Sequence, residues 1–158
     1  EILLSAVGVV DNNENLGLEA LGIKTDKGKI IVDANGQTNI PGIFAIGDVA
    51  GMPNSKTAAA VRGQAPVLVT NLLAQLDGGK GDGSYNGYSC CPLITGYGKT
   101  IMAEFNYKQE PTPSFPLDPT VERWSMWWVK VNLLPWLYWN RMLKGADHEK
   151  RFIPGVKP

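Results

Sequence analysis

The run Ile43-Phe44-Ala45-Ile46 leading into Gly47-Asp48 narrows the choice of fold more than any other part of this 158-residue chain. Four consecutive apolar residues, two of them β-branched, suit a strand buried on both faces, as in a sheet covered by helices. Gly47-Asp48 ends that strand, and Gly51 and Pro53 break the loop that follows. Ser55 is the expected N-cap of a helix starting at Lys56. The unit is therefore strand, Gly-containing turn, helix start, and α/β sheets bind their ligands outside the carboxyl ends of such strands. Gly47 permits close backbone approach, the Asp48 carboxylate can accept from a sugar-alcohol hydroxyl, and the helix aims N–H groups and a positive dipole end at the same place. The same aspartate also fits a simpler part, capping the helix.

The rest of the pattern is consistent with an α/β chain. Glu1–Val7 and Lys29–Val32 read as short strands, with turn chemistry at Asn12-Asn13-Glu14-Asn15 and Ala34-Asn35-Gly36. Val61, Ala65, Leu68, Leu72 and Leu76 lay one apolar stripe along the helix, which Pro66 should kink or divide and Gly78-Gly79 should stop. Ser84–Thr95 reads as irregular. Lys99–Phe105 alternates, with Ile101, Ala103 and Phe105 opposite Thr100, Met102 and Glu104, as a half-buried strand does. Glu110–Pro119, with four prolines, should be an extended connector. Two amphipathic helices are expected over about 120–133 and 136–144, separated at Pro135 and ending at Gly145, before a loose tail.

Charge is balanced at 15 Lys+Arg against 15 Asp+Glu, which argues against a nucleic-acid partner. The balance hides a gradient. Residues 1–50 hold three basic and seven acidic side chains, net −4; residues 51–123 hold six of each; residues 124–158 hold six basic and two acidic, net +4. All five Trp lie between Trp124 and Trp139, in the basic third. On a helical wheel Trp124, Trp127, Trp128 and Val131 share a face with Lys130 beside it, and Arg141 and Lys144 can reach toward phosphates. That composition favours an anionic lipid surface over the alternative, a buried contact with another domain. The longest apolar run is interrupted by Lys130 and Asn132, so no membrane span is expected. The adjacent pair Cys90-Cys91 suits neither a zinc site nor a disulfide framework, and one His, His148, leaves no basis for a metal cluster. A vicinal disulfide would be strained, and a buried Cys is more often an inert small residue. The opening Glu1-Ile2-Leu3-Leu4 reads as a strand already under way, so the chain is expected to be part of something longer.

Residues 1–48, "LLSAVGVVDNNENLGLEALGIKTDKGKIIVDANGQTNIPGIFAIGD" among them, resemble dihydrolipoyl dehydrogenases and the wider pyridine nucleotide-disulfide oxidoreductases. After Val49 the likeness changes. "SKTAAAV" at 55–61, "YNGYSCCPLITGYGKTIMAEFNYK" at 85–108 and "LLPWLYWNRMLKG" at 133–145 resemble sulfide:quinone oxidoreductases, over about residues 49–145. The pattern departs from dihydrolipoyl dehydrogenases in lacking their His-Glu dyad, which His148-Glu149 does not match, and their CxxxxC redox pair; the first FAD glycine fingerprint and the upstream cysteine of the sulfide oxidisers are absent too.

The resemblance implies the C-terminal part of a two-dinucleotide-binding-domain, Rossmann-like α/β flavoprotein. Residues 1–36 would end the second, NAD-type domain, 37–119 would form the C-terminal part of the FAD-binding domain, and 120–158 would associate with membrane. It implies FAD held at Gly47, Asp48, Ser55, Lys56 and Thr57, a redox role for Cys91, and a quinone or membrane contact involving Trp127, Trp128, Tyr138 or Trp139. Cys90 has no matching position. The partners implied are sulfide, quinone, a membrane surface and the upstream half of the same protein. The place implied is the periphery of a bacterial cytoplasmic or mitochondrial inner membrane. Two alternatives stand beside this: another flavoprotein of the superfamily, NAD-linked or handing electrons to a cytochrome, and a non-catalytic membrane- or partner-binding fragment.

Overall fold

A computed structural model describes residues 11–114 and 116–145. The expected strand at Glu1–Val7 and the tail with His148-Glu149 lie outside the described residues. The elements are β1 (Thr25–Asp26), β2 (Lys29–Ile30), α1 (Ala58–Leu76), β3 (Ser89–Gly96), β4 (Lys99–Phe105), α2 (Trp124–Trp128), a π-helical turn Val129–Leu133, α3 (Leu134–Asn140) and a 3₁₀ turn Met142–Lys144. The chain is thus mixed α/β.

β1 and β2 form an antiparallel hairpin, and Ile30 then pairs in parallel with Ala50. Ile30 N donates to Val49 O at 2.8 Å, and Gly51 N returns to Ile30 O at 2.8 Å. This pairing fixes the loop that follows Gly47-Asp48. The stretch 43–46 is not the buried strand expected: Ala45 is buried, but Ile43, Phe44 and Ile46 are half-buried. Its described pairing is a single antiparallel bridge, Gln37 with Phe44. Thr38 explains why: its hydroxyl donates to Ile43 O at 2.9 Å and accepts from Ile40 N at 3.2 Å, a local turn that competes with a regular ladder.

α1 starts two residues later than expected. Thr57, not Ser55, is the N-cap, with extended backbone and a side chain that accepts from Ala60 N. Pro66 neither divides the helix nor ends it; all 19 residues are helical. Buried Gly63, Gln64 and Val67 flank the proline and hold both halves against the core. The apolar stripe also turns differently. Ala60, Gly63, Gln64, Val67 and Asn71 are buried, while Leu76 of the predicted stripe is 74% exposed and Val61, Ala65, Leu68 and Leu72 are half-buried. Hydrogen bonding chose the face. Gln64 meets the N–H of Gly47, and Asn71 exchanges two bonds with the backbone of Gly83, so buried backbone groups are satisfied.

Residues 89–96 were expected to be irregular; they form β3, paired antiparallel with β4 from Ser89–Phe105 to Gly96–Lys99. Pro92 is tolerated because a two-stranded hairpin consists of edges. The strand expected at 99–105 is present, and its buried face is Thr100, Met102 and Glu104. Among the described residues of the proline-rich 110–119 segment no strand or helix occurs, as expected of a connector. The core joins Ile23, Ile30, Ala45, Ala50 and Met52 to Ala60 and Val67 of α1 and to Tyr85 and Tyr88 ahead of β3. Pro135 does not separate two helices. It sits in the first turn of α3, where a missing N–H costs little, and the preceding π turn, closed by Leu134 N to Val129 O, carries the backbone past it. Gly145, in left-handed conformation, ends the helical run as expected.

Replacing Thr57 with Ala should cost about 1 kcal/mol in urea unfolding, whereas Thr57→Ser should retain most of the stability, because only the latter keeps the cap oxygen.

Candidate functional site

Gly47 adopts φ +75°, and a Cβ placed there would lie 3.3 Å from Val61 Cγ2. A glycine is required both by conformation and by the closeness of α1. Its N–H donates to Gln64 Oε1 at 2.9 Å, and Gln64 Nε2 turns to the sulfur of Met52 at 3.3 Å. One buried amide thus pins the turn to the helix and the loop together. Asp48 follows, exposed to solvent.

Lys56 closes the loop from the other side. Its Nζ donates to Ala50 O at 2.6 Å and Met52 O at 2.8 Å. Burial, with Lys29 nearby, holds the Lys56 ammonium below the usual lysine range, against the pull of Asp11 and Asp48. Its cation is therefore a clamp on backbone carbonyls. Thr57 spends its hydroxyl on the helix cap, and Ser55 is exposed. The fold brings Gly47, Asp48, Lys56 and Thr57 together at the start of α1, where the first-turn N–H groups lack intrahelical acceptors. A helix N-terminus, an exposed carboxylate and a turn with no side chain are the parts that a phosphate-bearing, hydroxyl-rich cofactor uses.

The second component is β3, which packs on α1. Both cysteines are free thiols; Cys91 is exposed and Cys90 half-buried against the core. Burial first, then the charge of Glu104, pushes the Cys90 thiol up to about 12, while a Tyr88 hydrogen bond and Arg62 oppose the shift. Glu104 is 3% exposed and receives Tyr88 Oη, Ser114 N at 2.9 Å and Ser114 Oγ at 2.5 Å. Burial, and then the hydrogen bond to Glu104, carries the Tyr88 phenol far above its usual range.

The third component is aromatic. Trp124 and Trp139 are 63% and 64% exposed, with Trp128, Trp136 and Tyr138 also open to solvent. Trp127 leans on Tyr97 at the hairpin tip, with ring centroids 5.6 Å apart, and Tyr138 meets Trp139 edge-on at 5.1 Å. Lys130 does not point outward beside this face: its ammonium donates to the carbonyl of Pro92, the residue after Cys91. The cysteine strand and the aromatic helix are thereby tied together. Among the described residues no helix is long and apolar enough to cross a membrane, and no cluster of metal-binding side chains occurs.

Sequence reasoning missed Gln64, Glu104 and Tyr97 as participants, and set Lys130 beside the aromatic face rather than on the Pro92 carbonyl. A polar side chain inside an apolar helical stretch was the available signal for Gln64. Nothing in the alternation of β4 distinguished which face, and so whether Glu104, would be buried.

Residues 1–65 match the family described as pyridine nucleotide-disulphide oxidoreductase. The chain is 44% identical over 143 residues to the mitochondrial sulfide:quinone oxidoreductase of Schizosaccharomyces pombe, covering 87% of this chain and 31% of that protein. It is 43% identical over 105 residues to the mitochondrial sulfide:quinone oxidoreductase of Mus musculus, covering 66% and 23%. It is also 65% identical over 51 residues to the dihydrolipoyl dehydrogenase of Rhizobium etli, covering 32% and 11%. A chain in the cryo-EM structure of the Tetrahymena thermophila mitochondrial ATP synthase F1Fo composite tetramer superposes with a TM-score of 0.58 at 25% identity, over 85% of this chain and 30% of that one. This chain thus spans less than a third of the length of the curated relatives named. Both resemblances read from the residues are borne out by these matches.

Replacing Gln64 with Leu should lower stability by about 1–3 kcal/mol in chemical unfolding, because the Gly47 N–H loses its buried acceptor. Amide exchange at Gly47 should accelerate in the same variant.

Proposed function

We propose that this chain is the C-terminal portion of an FAD-dependent sulfide:quinone oxidoreductase that acts at the surface of a membrane. Residues 1–36 then close an NAD-type domain, 37–119 complete the FAD-binding domain, and 120–158 face lipid. The observation that carries the reading is the placement of Cys91. It stands exposed on a strand packed against α1, the helix whose start bears Gly47 and Asp48. The curated relatives named sulfide:quinone oxidoreductase align with up to 87% of this chain.

The residues present fit FAD. Gly47 has no side chain to block approach, Asp48 is exposed to accept from the cofactor's ribityl hydroxyls, and the first turn of α1 offers N–H groups toward its negative regions. When bound, FAD supplies a two-electron acceptor. Gln64, Lys56 and Thr57 hold the loop and helix cap that present these groups, and Ser55 stands exposed beside them.

Cys91 contributes a sulfur that can join a disulfide or trisulfide with an upstream cysteine. Hydrosulfide attacks that bond; a new S–S bond forms as the old one breaks, leaving a persulfide on one sulfur and a thiolate on the other. The electron pair of that thiolate is what the site passes on, with quinone as the final acceptor. Exposed Trp128, Tyr138 and Trp139, with half-buried Trp127 beside them, would meet lipid or quinone, and Lys130, bonded to the Pro92 carbonyl, holds their helix against the cysteine strand. Together with the +4 charge of residues 124–158, this aromatic surface favours a peripheral seat on an anionic bilayer, bacterial or mitochondrial.

A second reading, an NAD-linked disulfide reductase, is favoured by the 65% identity to a dihydrolipoyl dehydrogenase. Flavin bleaching by NADH with no response to sulfide would select it. In the flavoprotein completed by its upstream portion, Cys91→Ser should abolish sulfide-dependent flavin reduction while FAD stays bound; retained turnover refutes the role of Cys91. Removing residues 124–158 should release the protein from anionic liposomes in a cosedimentation assay, and continued pelleting refutes the lipid-facing surface.

A further inference from the structure

Cys90 and Cys91 are adjacent in sequence and opposite in environment. Strand alternation sends their side chains to opposite faces of the β3–β4 hairpin. The register sets Cys91 across from Ala103 and Cys90 across from Glu104. Glu104 is buried, and its oxygens receive three hydrogen bonds, from Tyr88 and twice from Ser114, the pattern of an acceptor-only carboxylate. The groups facing Cys90 are therefore Glu104 from β4, Tyr88 from the segment before β3, Arg62 from α1, and Cys91 beside it.

We infer that the hairpin selects between the two cysteines: burial against the core and the buried carboxylate of Glu104 across the strand withhold Cys90, and nucleophilic sulfur chemistry on this strand is confined to Cys91 on the open face. Burial acts in the same direction as the charge, and Arg62 and the Tyr88 hydrogen bond act against both without reversing them. Glu104 is thus a positioning residue that acts through Cys90. Its consequence for turnover rests on the sulfide reading. Where hydrosulfide, a disulfide and a persulfide exchange, a second thiolate one residue away would attack the same S–S bond and divert the sulfur; a thiol does not. The selection itself needs no sulfide, and it can be measured separately.

The test is alkylation by iodoacetamide between pH 7.5 and 10.5, followed by mass spectrometry. Cys90 is read in a Cys91→Ser background and Cys91 in a Cys90→Ser background. At pH 8, Cys90 should react at least about 100-fold more slowly than an unstructured cysteinyl peptide, and its rate should still be climbing at pH 10.5, since each unit of pKa is a factor of ten in thiolate. Cys91 should react much faster than Cys90. Glu104→Gln should accelerate Cys90 measurably, with tryptophan fluorescence unchanged. Glu104→Asp, which keeps the charge, should leave Cys90 slow. Equal rates for the two cysteines, or an unchanged Cys90 profile in a natively folded Glu104→Gln, overturns the inference. If Glu104→Gln unfolds, the two single-cysteine backgrounds decide: a slow Cys90 beside a fast Cys91 upholds the inference and equal rates overturn it. Loss of sulfide turnover has no bearing on these rates, so failure of the sulfide reading and failure of the selection are told apart.

Discussion

A single buried side-chain amide organises the candidate site. Gln64, 2% exposed, satisfies the N–H of Gly47 and touches the sulfur of Met52, so α1, the turn that carries Asp48 and the loop beyond it are one unit. A buried N–H without an acceptor is costly, and that cost dictates which face of α1 is turned inward. Everything downstream inherits the choice: the position of the N-cap, the clamp of Lys56 on Ala50 and Met52, and the exposed seat of Asp48.

The hairpin β3–β4 solves a different problem on the neighbouring surface. Two sulfurs with the same intrinsic chemistry are adjacent, and the pleat separates them. One is directed to solvent, the other toward a buried carboxylate that is itself fixed by a phenol and a serine. The network is fully bonded at Glu104, which is the condition under which a buried polar cluster stabilises a unique arrangement. Lys130 extends the coupling by bonding the strand one residue past Cys91, which links the aromatic helix to the cysteine strand.

The aromatic surface and the charge gradient belong to one end of the chain. Exposed indoles are costly in water and favourable at a headgroup layer, where an apolar ring and a polar N–H both find partners. The π turn preceding Pro135 keeps the helical run unbroken, so the aromatic residues on both sides of the proline stay on a single rod-like segment.

Local chemistry made part of this legible from residues alone. Gly47-Asp48 before a helix, the alternation of 99–105, the stop at Gly78-Gly79, the left-handed end at Gly145 and the concentration of Trp in a basic segment are short-range facts, each set by the conformational and solvation preferences of a few neighbours. Other expectations were overturned. Thr57 displaced Ser55 as cap, Pro66 left α1 whole, Pro135 was absorbed by a π turn, and 89–96 became a strand because β4 supplied its ladder. The inward face of α1 and the burial of Glu104 were likewise invisible, since periodicity counts apolar residues and says nothing of which backbone N–H groups will need an amide or which strand face will meet the core. Sequence by itself determined the kinds of groups available: a glycine turn, a carboxylate, two thiols, an aromatic stripe. Tertiary structure alone decided which of them were buried and which were offered to solvent, because burial and hydrogen-bond pairing are settled between segments that lie far apart along the chain.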